Sequence, residues 1–353
     1  MSAPTPVPPT EAITAVLTDR YDLAVRTMVQ LPIGQGTINY RATCDGSDVF
    51  VKHYPPGTDT AAEQRAVALS ELARHHAIPA APIVLNRHAE LIDDSTGYAV
   101  SVWEWMPGRV VTTLNTGQCA RAGDVLGRIH AAFAPLPESA MPSTEADTWF
   151  RVDPARLAST VDSLMDVITE RIKAGTADAF DVHASQTLNE RRTMLDRIPG
   201  LISELPPSLT TQVLHGDYSP VNLLYAGDDL TAVLDFRPPS PFLVAYDLGR
   251  MAFYPNTVAC DPDWMESART LIRAYQAANP AVADADILAC GRVALLQLLG
   301  SLYGVKQHYL KPGLFQDDLD EFWTLRHRTA AALLDHLEEV DQLLADLIAS
   351  TGR

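Results

Sequence analysis

Residues 213–225 read VLHGDYSPVNLLY, and residues 232–236 read AVLDF. Two short apolar runs flank a polar loop, which holds Asp217 and, five positions later, Asn222. The next apolar run ends in a second acidic residue, Asp235. Short apolar runs bounded by turn residues are typical of strands. The pattern therefore predicts a polar loop beside a strand that carries the Asp235 carboxylate in a rigid position.

These three polar residues are of the types that phosphoryl transfer requires. A carboxylate such as Asp217 can position an acceptor hydroxyl and accept its proton. Magnesium prefers oxygen ligands, and Asn222 and Asp235 both offer them. Asp and Asn are also ordinary turn residues. The apolar flanks and the Asp235-Phe236 pair nevertheless favour the catalytic interpretation.

The order of these residues matches the catalytic loop and metal site of protein kinases, written H-R-D-x-x-x-x-N and then D-F-G. Here Gly216 stands in place of the Arg, and Arg237 stands in place of the last Gly. His-Gly-Asp at 215–217, with the Asn and Asp that follow, resembles the signature of the aminoglycoside phosphotransferase and choline kinase family. The resemblance extends over about residues 28–254.

The resemblance implies a fold and a set of ligands. The fold is a two-lobed, protein-kinase-like α+β fold, with a small N-terminal sheet lobe and a larger, mainly helical C-terminal lobe. We expect the N-terminal lobe over residues 1–105, with a flexible tail over 1–10, and the C-terminal lobe over residues 106–353. The resemblance further implies that Mg²⁺ and ATP or GTP bind in the cleft between the lobes. It implies a small-molecule hydroxyl acceptor but does not identify it.

The composition excludes several classes of partner. The chain has 353 residues, 47% hydrophobic and 20% charged, which is typical of a folded protein large enough for two lobes. Its net charge of -17 argues against nucleic-acid and anionic-membrane partners. The four cysteines form no metal-binding motif, and the N-terminus lacks the features of a signal peptide. We expect a cytoplasmic monomer or homodimer.

A nucleotide-binding region is predicted before the catalytic stretch. A short helix over residues 11–21 precedes strand-like runs over 24–31, 39–43 and 49–53. Gly34 and Gly36 lie between the first two runs, where glycines let backbone amides approach phosphate groups. A plain hairpin turn is the alternative for these two glycines. Their place before Lys52 favours the nucleotide loop.

Lys52 ends the third run, where a Lys can neutralise the α- and β-phosphates as the corresponding Lys of kinases does. The resemblance implies that a Glu on the next helix, predicted over residues 60–75, pairs with Lys52. Glu63 is the first choice, and Glu71 is the alternative.

Other site residues follow from the resemblance alone. The strand predicted over residues 98–105 leads into EWMPG, which resembles the family hinge. Backbone groups around Glu104 and Met106 are then expected to pair with the nucleobase. Asp247 lies in a D-L-G segment that resembles the family's D-L-A, where the Asp supports the catalytic loop. His215 is expected to have a similar supporting role.

Arg237 directly follows the Asp-Phe pair. It is a candidate contact for a phosphate or for a carboxylate on the acceptor, and a structural ion pair is the alternative. The rest of the chain is predicted to be helical over residues 117–133, 154–174, 185–197 and 263–348, with one buried helix over 289–309.

The sequence therefore predicts a Mg-ATP-dependent phosphotransferase that moves the γ-phosphoryl group to a hydroxyl of a small molecule. An antibiotic or related natural product is the first candidate acceptor. A primary metabolite, such as homoserine, choline, a sugar or an amino sugar, is the alternative. Protein phosphorylation is disfavoured because no activation segment ending in A-P-E follows. A nucleotide-binding scaffold without catalysis is the alternative of a different class, and the presence of all expected catalytic residues disfavours it.

Overall fold

The structure is a computed structural model that describes residues 10–34, 36–137, 150–312 and 316–350. The predicted tail, except for Thr10, lies outside the described residues, as does Gln35 of the glycine loop. The chain divides into two compact units. The first contains Met1–Val111, His215–Asp217 and Val221–Pro239, and the second contains Thr112–Leu214, Tyr218–Pro220 and Ser240–Arg353.

The boundary at residues 105 and 106 stays a prediction. The first unit follows that boundary approximately at its first segment, and it also contains most of the catalytic stretch. The mixed α/β content, with a small antiparallel sheet and a larger helical part, confirms the predicted fold class.

The first unit is built on a five-stranded antiparallel sheet whose strands are, in spatial order, β1 (Val25–Leu31), β2 (Ile38–Cys44), β3 (Asp48–Tyr54), β5 (Ala99–Glu104) and β4 (Ile83–Val84). The same unit contains a short three-stranded sheet with the order β6 (Arg109–Val110), β8 (Leu223–Ala226) and β9 (Asp229–Val233). An isolated parallel bridge joins Ala80 to Val233, the last residue of β9. The elements of this unit are α1 (Thr10–Tyr21), β1 (Val25–Leu31), β2 (Ile38–Cys44), β3 (Asp48–Tyr54), α2 (Thr60–His75), β4 (Ile83–Val84), β5 (Ala99–Glu104), β6 (Arg109–Val110), β8 (Leu223–Ala226) and β9 (Asp229–Val233).

Strand alternation determines where Lys52 points. In β3, Val49 and Val51 are buried in a cluster with Ile13 and Leu17 of α1. Successive side chains on a strand point to opposite faces, so Lys52 lies on the other face of the sheet. The apolar core on one face of β3 thus places the cation on the opposite face.

The second unit is mainly helical, with one two-stranded antiparallel pair formed by β7 and β10. None of the helices in the described part of the chain combines the length and the apolar character needed to cross a membrane. The elements of this unit are α3 (Thr116–Phe133), α4 (Pro154–Lys173), α5 (Ala179–Met194), α6 (Ile198–Ser203), β7 (Thr211–Val213), β10 (Pro241–Leu243), α7 (Val244–Ala252), α8 (Pro255–Cys260), α9 (Trp264–Ala278), α10 (Asp284–Leu299), α11 (Val305–Leu310), α12 (Gln316–Asp335) and α13 (Leu337–Ser350).

The prediction of a single buried helix over residues 289–309 was wrong. The helix α10 ends at Leu299, and α11 begins at Val305. Gly304 has φ +98°, a left-handed conformation that ends helical geometry, and a Cβ there would lie 2.7 Å from the carbonyl oxygen of Leu319. Apolar periodicity continues through this segment, so it did not reveal the break.

The helix predicted over residues 185–197 begins earlier, at Ala179. Asp178 accepts from the backbone N–H of Asp181, while the Asp181 side chain accepts from the N–H of Asp178. This reciprocal capping satisfies two backbone donors at the helix start. It explains why the helix begins well before its apolar face.

Helices α3 and α9 pack with their backbones in close approach. A Cβ on Gly123 would lie 2.0 Å from the carbonyl oxygen of Leu271. A Cβ on Gly127, one turn later, would lie 2.6 Å from the carbonyl oxygen of Tyr275. Both distances are too short for any side chain, so glycine is required at both positions.

We expect Gly123→Ala to lower the free energy of unfolding by about 2–4 kcal/mol, because the two helices must separate to admit the methyl group. The matched control is Gly200→Ala in α6, where a Cβ would meet no atom within 4 Å. Helix propensity alone should make that control neutral or slightly stabilising. Urea unfolding of both variants measures the difference. Equal stability of the two variants would contradict the close approach of α3 and α9.

Candidate active site

The first unit contains five of the polar residues that the sequence identified, which are Lys52, Asp217, Asn222, Asp235 and Arg237. They come from two distant parts of the chain, and the fold brings them into one unit. The sequence could predict the type of each residue. Only the tertiary structure shows which of them touch.

Lys52 and Asp235 form an ion pair, with 2.7 Å between Nζ and Oδ1. The Lys52 side chain is 19% exposed, and that of Asp235 is 51% exposed. Burial disfavours both charges, but their mutual attraction and hydrogen bond hold the pKa of Asp235 below its ordinary value and the pKa of Lys52 above it. A cation and a carboxylate, the two groups that a phosphate and metal site would need, are thus adjacent.

Asp235 adopts a backbone conformation that few residues adopt. Its φ is +57°, in the left-handed region that non-glycine residues seldom occupy. The Leu234 N–H, just before it, donates to the carbonyl oxygen of Asn222 at 2.8 Å. Backbone conformations of this kind are concentrated at functional sites. The turn directs the Asp235 carboxylate toward Lys52.

His215 links the catalytic loop to the segment that carries Asp235. Its buried ring accepts the Asp217 N–H at Nδ1, over 3.2 Å, and its Nε2 lies 3.0 Å from the carbonyl oxygen of Leu234. Because Nδ1 is the acceptor, Nε2 carries the proton and donates to Leu234. The ring also packs on Phe236, with 4.4 Å between centroids. These contacts fit the supporting role predicted for His215.

The Asn222 side chain contributes to the site in two ways. Its Nδ2 donates to the carbonyl oxygen of Asp217 at 2.9 Å, which closes the catalytic loop. That orientation leaves Oδ1 as the atom that can serve as a ligand. Together with the Asp235 carboxylate, it provides two hard oxygen donors.

Such a donor set fits magnesium, which proteins commonly hold with one or two carboxylates and phosphate oxygens of the substrate. Among the described residues, no group of three or more His, Cys, Asp or Glu side chains could hold a metal ion. Asn222 and Asp235 would hold the ion together with the nucleotide.

The side chain of Arg237 packs against Gly216. Gly216 has φ +82°, and a Cβ there would lie 2.9 Å from the Cβ of Arg237. The Arg237 N–H donates to the carbonyl oxygen of His215 at 3.0 Å. Its guanidinium, 63% exposed, lies 3.7 Å from the Asp217 carboxylate. The two departures from the kinase pattern are therefore one local arrangement, in which Gly216 leaves room for Arg237.

The glycine loop has a structural constraint that the sequence did not reveal. Gly34 has φ +93°, and a Cβ there would lie 2.3 Å from Nδ2 of the buried Asn39. That Nδ2 donates to the carbonyl oxygen of Ile33 at 2.9 Å and so closes the loop. Gly36, with φ +83°, faces open space. Packing therefore requires Gly34, whereas at Gly36 only the backbone conformation favours glycine. The phosphate-binding role of the loop stays a prediction.

The structure separates the two candidates for the Glu that supports Lys52. The carboxylate of Glu71 lies 3.4 Å from the backbone N of Ile83 and 3.4 Å from Arg74. Glu63 lies in the first turn of α2, and its charge contributes to the raised pKa of Lys52. These surroundings favour Glu63, although the Nζ atom of Lys52 donates to Asp235 in this structure.

Two of the three hinge donors are used by the sheet. The Glu104 N–H donates to the carbonyl oxygen of Pro82 at 2.9 Å, and the Trp105 N–H donates to that of Asp48 at 3.2 Å. Over the described ranges, the Met106 N–H has no backbone acceptor. It is therefore the hinge donor that remains for a nucleobase.

Asp247 belongs to the second unit, where it is fully buried in α7. Its Oδ2 lies 3.7 Å from Nε2 of His130. The Nδ1 atom of His130 lies 2.8 Å from the hydroxyl oxygen of Tyr275. The backbone carbonyl oxygen of His130 accepts a hydrogen bond from the Gln212 side chain at 2.9 Å. Asp247 thus joins a buried polar cluster, and its support of the catalytic loop stays a prediction.

A family model described as "phosphotransferase enzyme family" matches residues 29–285. The chain is 21% identical over 210 residues to a homoserine kinase from Zymomonas mobilis, a match that covers 60% of this chain. It spans 59% of the length of that relative. A homoserine kinase from Rhodopseudomonas palustris is 25% identical over 266 residues, which cover 71% of this chain and 72% of the relative.

Among solved structures, a spectinomycin phosphotransferase in complex with ADP and spectinomycin matches with a TM-score of 0.63. The sequence identity is 13%, and the match covers 91% of this chain and 98% of that one. At this identity the likeness shows a shared fold alone. It agrees with the fold class inferred from the sequence.

The Lys52–Asp235 pair predicts a pH dependence of stability. A double-mutant cycle with Lys52→Met and Asp235→Asn should give a coupling free energy of about 1 kcal/mol near neutral pH, since Asp235 is half exposed. Because the pKa of Asp235 is lowered on folding, its contribution exists above the unfolded value of about 3.9 and is lost as the pH falls through the folded value. Because the pKa of Lys52 is raised, its contribution is lost only as the pH rises beyond about 10.4.

Urea unfolding of the four proteins between pH 3 and pH 11 measures this coupling. We expect a plateau from about pH 5 to about pH 9, with a decline on both sides. A coupling that is absent at pH 7, or unchanged at pH 3, would contradict the ion pair.

Proposed function

Because the chain belongs to the phosphotransferase enzyme family, we propose that it transfers the γ-phosphoryl group of ATP to a hydroxyl of a small molecule. The observation that carries this proposal is the hydrogen-bonded arrangement of Lys52, Asp235, Asn222 and Asp217 in one unit. It combines a cation for phosphates, oxygen ligands for a metal and a carboxylate for the acceptor. An arrangement with only a structural purpose would not need the exposed Asp235 carboxylate.

Each residue then has a distinct role. Asp217 positions the acceptor hydroxyl and accepts its proton as the oxygen attacks phosphorus. Lys52 holds the phosphates, for which it must leave Asp235 or share its three donors between the carboxylate and the nucleotide. Asn222 and Asp235 would hold magnesium, which neutralises charge on the β- and γ-phosphates when it is bound. The Met106 N–H is the donor for the nucleobase.

His215 acts on this chemistry indirectly. It binds the Asp217 N–H on one side and the Leu234 carbonyl oxygen on the other. Its ring thereby sets the distance between the proton acceptor and the metal-binding carboxylate. Positioning of this kind contributes much of the rate in phosphoryl transfer, where the protein does little covalent chemistry.

For the acceptor, the named activity of the sequence relatives favours a primary metabolite. The relatives described above are homoserine kinases, which suggests a hydroxyl-bearing amino acid. Arg237 agrees with such an acceptor, because its exposed guanidinium lies beside Asp217 and suits a carboxylate. The antibiotic alternative is supported by the fold likeness to a spectinomycin phosphotransferase. A shared fold is weaker support than sequence similarity, because one fold serves many substrates.

Asp217→Asn should lower kcat by about 10²–10⁴-fold, because the amide cannot accept the hydroxyl proton. The melting temperature and the dissociation constant for Mg-ATP should stay close to those of the unmodified protein. Asp94→Asn, at an exposed turn, is the matched control and should keep full activity. ATP consumption measures turnover, with L-homoserine, choline, amino sugars, spectinomycin and other aminocyclitols as acceptors.

An acceptor whose turnover is lost in Asp217→Asn and kept in Asp94→Asn would establish both reaction and substrate class. Full turnover by Asp217→Asn would refute the assigned role. Tight Mg-ATP binding without turnover on any acceptor would favour the scaffold alternative.

The proposed partner of Lys52 can be tested separately. Glu63→Gln should raise the dissociation constant for Mg-ATP severalfold, because it removes a negative charge that holds Lys52 in place. Glu71→Gln should leave nucleotide binding unchanged and affect only stability, since its carboxylate lies near the Ile83 backbone N and Arg74. Isothermal titration of both variants with Mg-ATP measures this. The opposite ranking would assign the role to Glu71.

A further inference from the structure

The second unit contains a buried arginine that its surroundings do not neutralise. Arg326 lies in α12 and is 6% exposed. Its Nε and Nη2 atoms are buried and make no hydrogen bond within the described part of the chain. A buried unpaired charge is among the most costly features of a folded protein. The position of Arg326 therefore needs an explanation.

One charged neighbour, Arg250, makes the positive potential around Arg326 stronger. The other groups that act on its charge are Tyr246, Tyr254 and Tyr303, which favour the cation and carry no carboxylate. Burial and the charge of Arg250 lower the pKa of Arg326 to about 10. The Phe322 ring, 5.8 Å from the guanidinium carbon, offers a partial cation–π contact. Such a contact compensates only part of the desolvation cost.

A second buried guanidinium lies near that of Arg326. Arg191 of α5 is completely buried, donates to the carbonyl oxygen of Leu298 at 2.7 Å, and packs on the ring of Trp323. Burial and the charge of Arg326 lower its pKa to about 9. Its Nε and Nη2 atoms also have no acceptor among the described residues. Two like charges are thus buried close together, and an anion between or beside them would relieve both.

Arg326 lines a small pocket, and the space suits a compact anion. The pocket has a volume of about 20 Å³, room for one or two water-sized groups. A single carboxylate group is of this size. Three of the lining side chains are aromatic, and three others carry polar or charged groups: Phe253, Phe322, Tyr254, Gln297, Arg250 and Arg326.

The two donors of Arg326 that have no acceptor match a carboxylate in number and in their direction relative to each other. On a guanidinium, Nε–H and one N–H of Nη2 point the same way along one edge, and a carboxylate accepts both at once. These are the two atoms of Arg326 that have no acceptor. We propose that the pocket at Arg326 binds a carboxylate group of a small molecule, held side-on by Nε and Nη2 of that arginine.

The carboxylate has two possible sources. It is either part of the phosphoryl acceptor or part of a separate small-molecule effector. The acceptor source rests on the proposed function, whereas the existence of the pocket does not. Binding of a carboxylate can be measured without turnover, so a failure of the pocket proposal can be distinguished from a failure of the proposed function.

The first experiment uses sodium formate as the probe, with neutral formamide as its isosteric control, at fixed ionic strength. Formate should raise the melting temperature of the unmodified protein, and formamide should not. Arg326→Met should bind formate at least tenfold more weakly, because one partner of a buried charged pair is removed. Arg328→Gln is the matched control, on the same helix but exposed, and it should respond as the unmodified protein does.

If Arg326→Met does not fold, Arg326→Lys keeps the charge, and its formate response should persist but be weaker. An equal formate response in Arg326→Met, or an equal response to formate and formamide, would overturn the proposal. A loss of formate binding confined to the Arg326 variants would support it.

The second experiment identifies the source of the carboxylate. Turnover is compared for L-homoserine and for the matching amino diol that lacks the carboxylate. If the acceptor is the source, formate competes with L-homoserine, and Arg326→Met raises KM for L-homoserine at least tenfold while KM for ATP is unchanged. If an effector is the source, formate binds without such competition. Both outcomes support carboxylate binding at Arg326, and only the first assigns the bound carboxylate to the acceptor.

Discussion

The two hydrogen bonds of the His215 ring are the interaction on which the candidate site depends most. One ring nitrogen receives the Asp217 N–H, and the other donates to the Leu234 carbonyl oxygen. A neutral imidazole is the side chain that can accept and donate at opposite edges of one rigid ring. The loop with Asp217 and the segment with Asp235 are therefore held at one separation. Burial of the ring excludes water, which would otherwise compete for both bonds.

The ion pair between Lys52 and Asp235 lies beside this arrangement. Asp235 occupies a left-handed backbone conformation, which the surrounding hydrogen bonds must maintain. The Lys52 cation lies on the face of β3 opposite the apolar core. The pair is partly exposed, so it contributes little to stability. Moderate strength suits the role proposed for Lys52, which is to bind and release phosphate groups.

Charge is treated differently in the second unit. There, Asp247, His130 and Tyr275 form a buried polar cluster, and the two guanidinium groups of Arg191 and Arg326 are buried without carboxylate partners in the described residues. Helices α3 and α9, which carry His130 and Tyr275, approach closely at glycines, so the packing around the polar cluster is tight. Buried charge in a rigid setting is typical of a binding site and is costly for a purely structural core.

The sequence by itself determined the reaction class, the residue types of the site and the local elements that carry them. The spacing of Asp217, Asn222 and Asp235 was sufficient to predict the candidate site, because loop length and strand alternation are local properties. The helix predicted over residues 60–75 has those bounds in the structure. The tertiary structure alone decided which groups touch. It paired Lys52 with Asp235, placed Arg237 against Gly216, broke the helix before Gly304 and left Arg326 buried in its pocket. These features depend on contacts between residues far apart in the chain, and periodicity and motif spacing carry no information on such contacts.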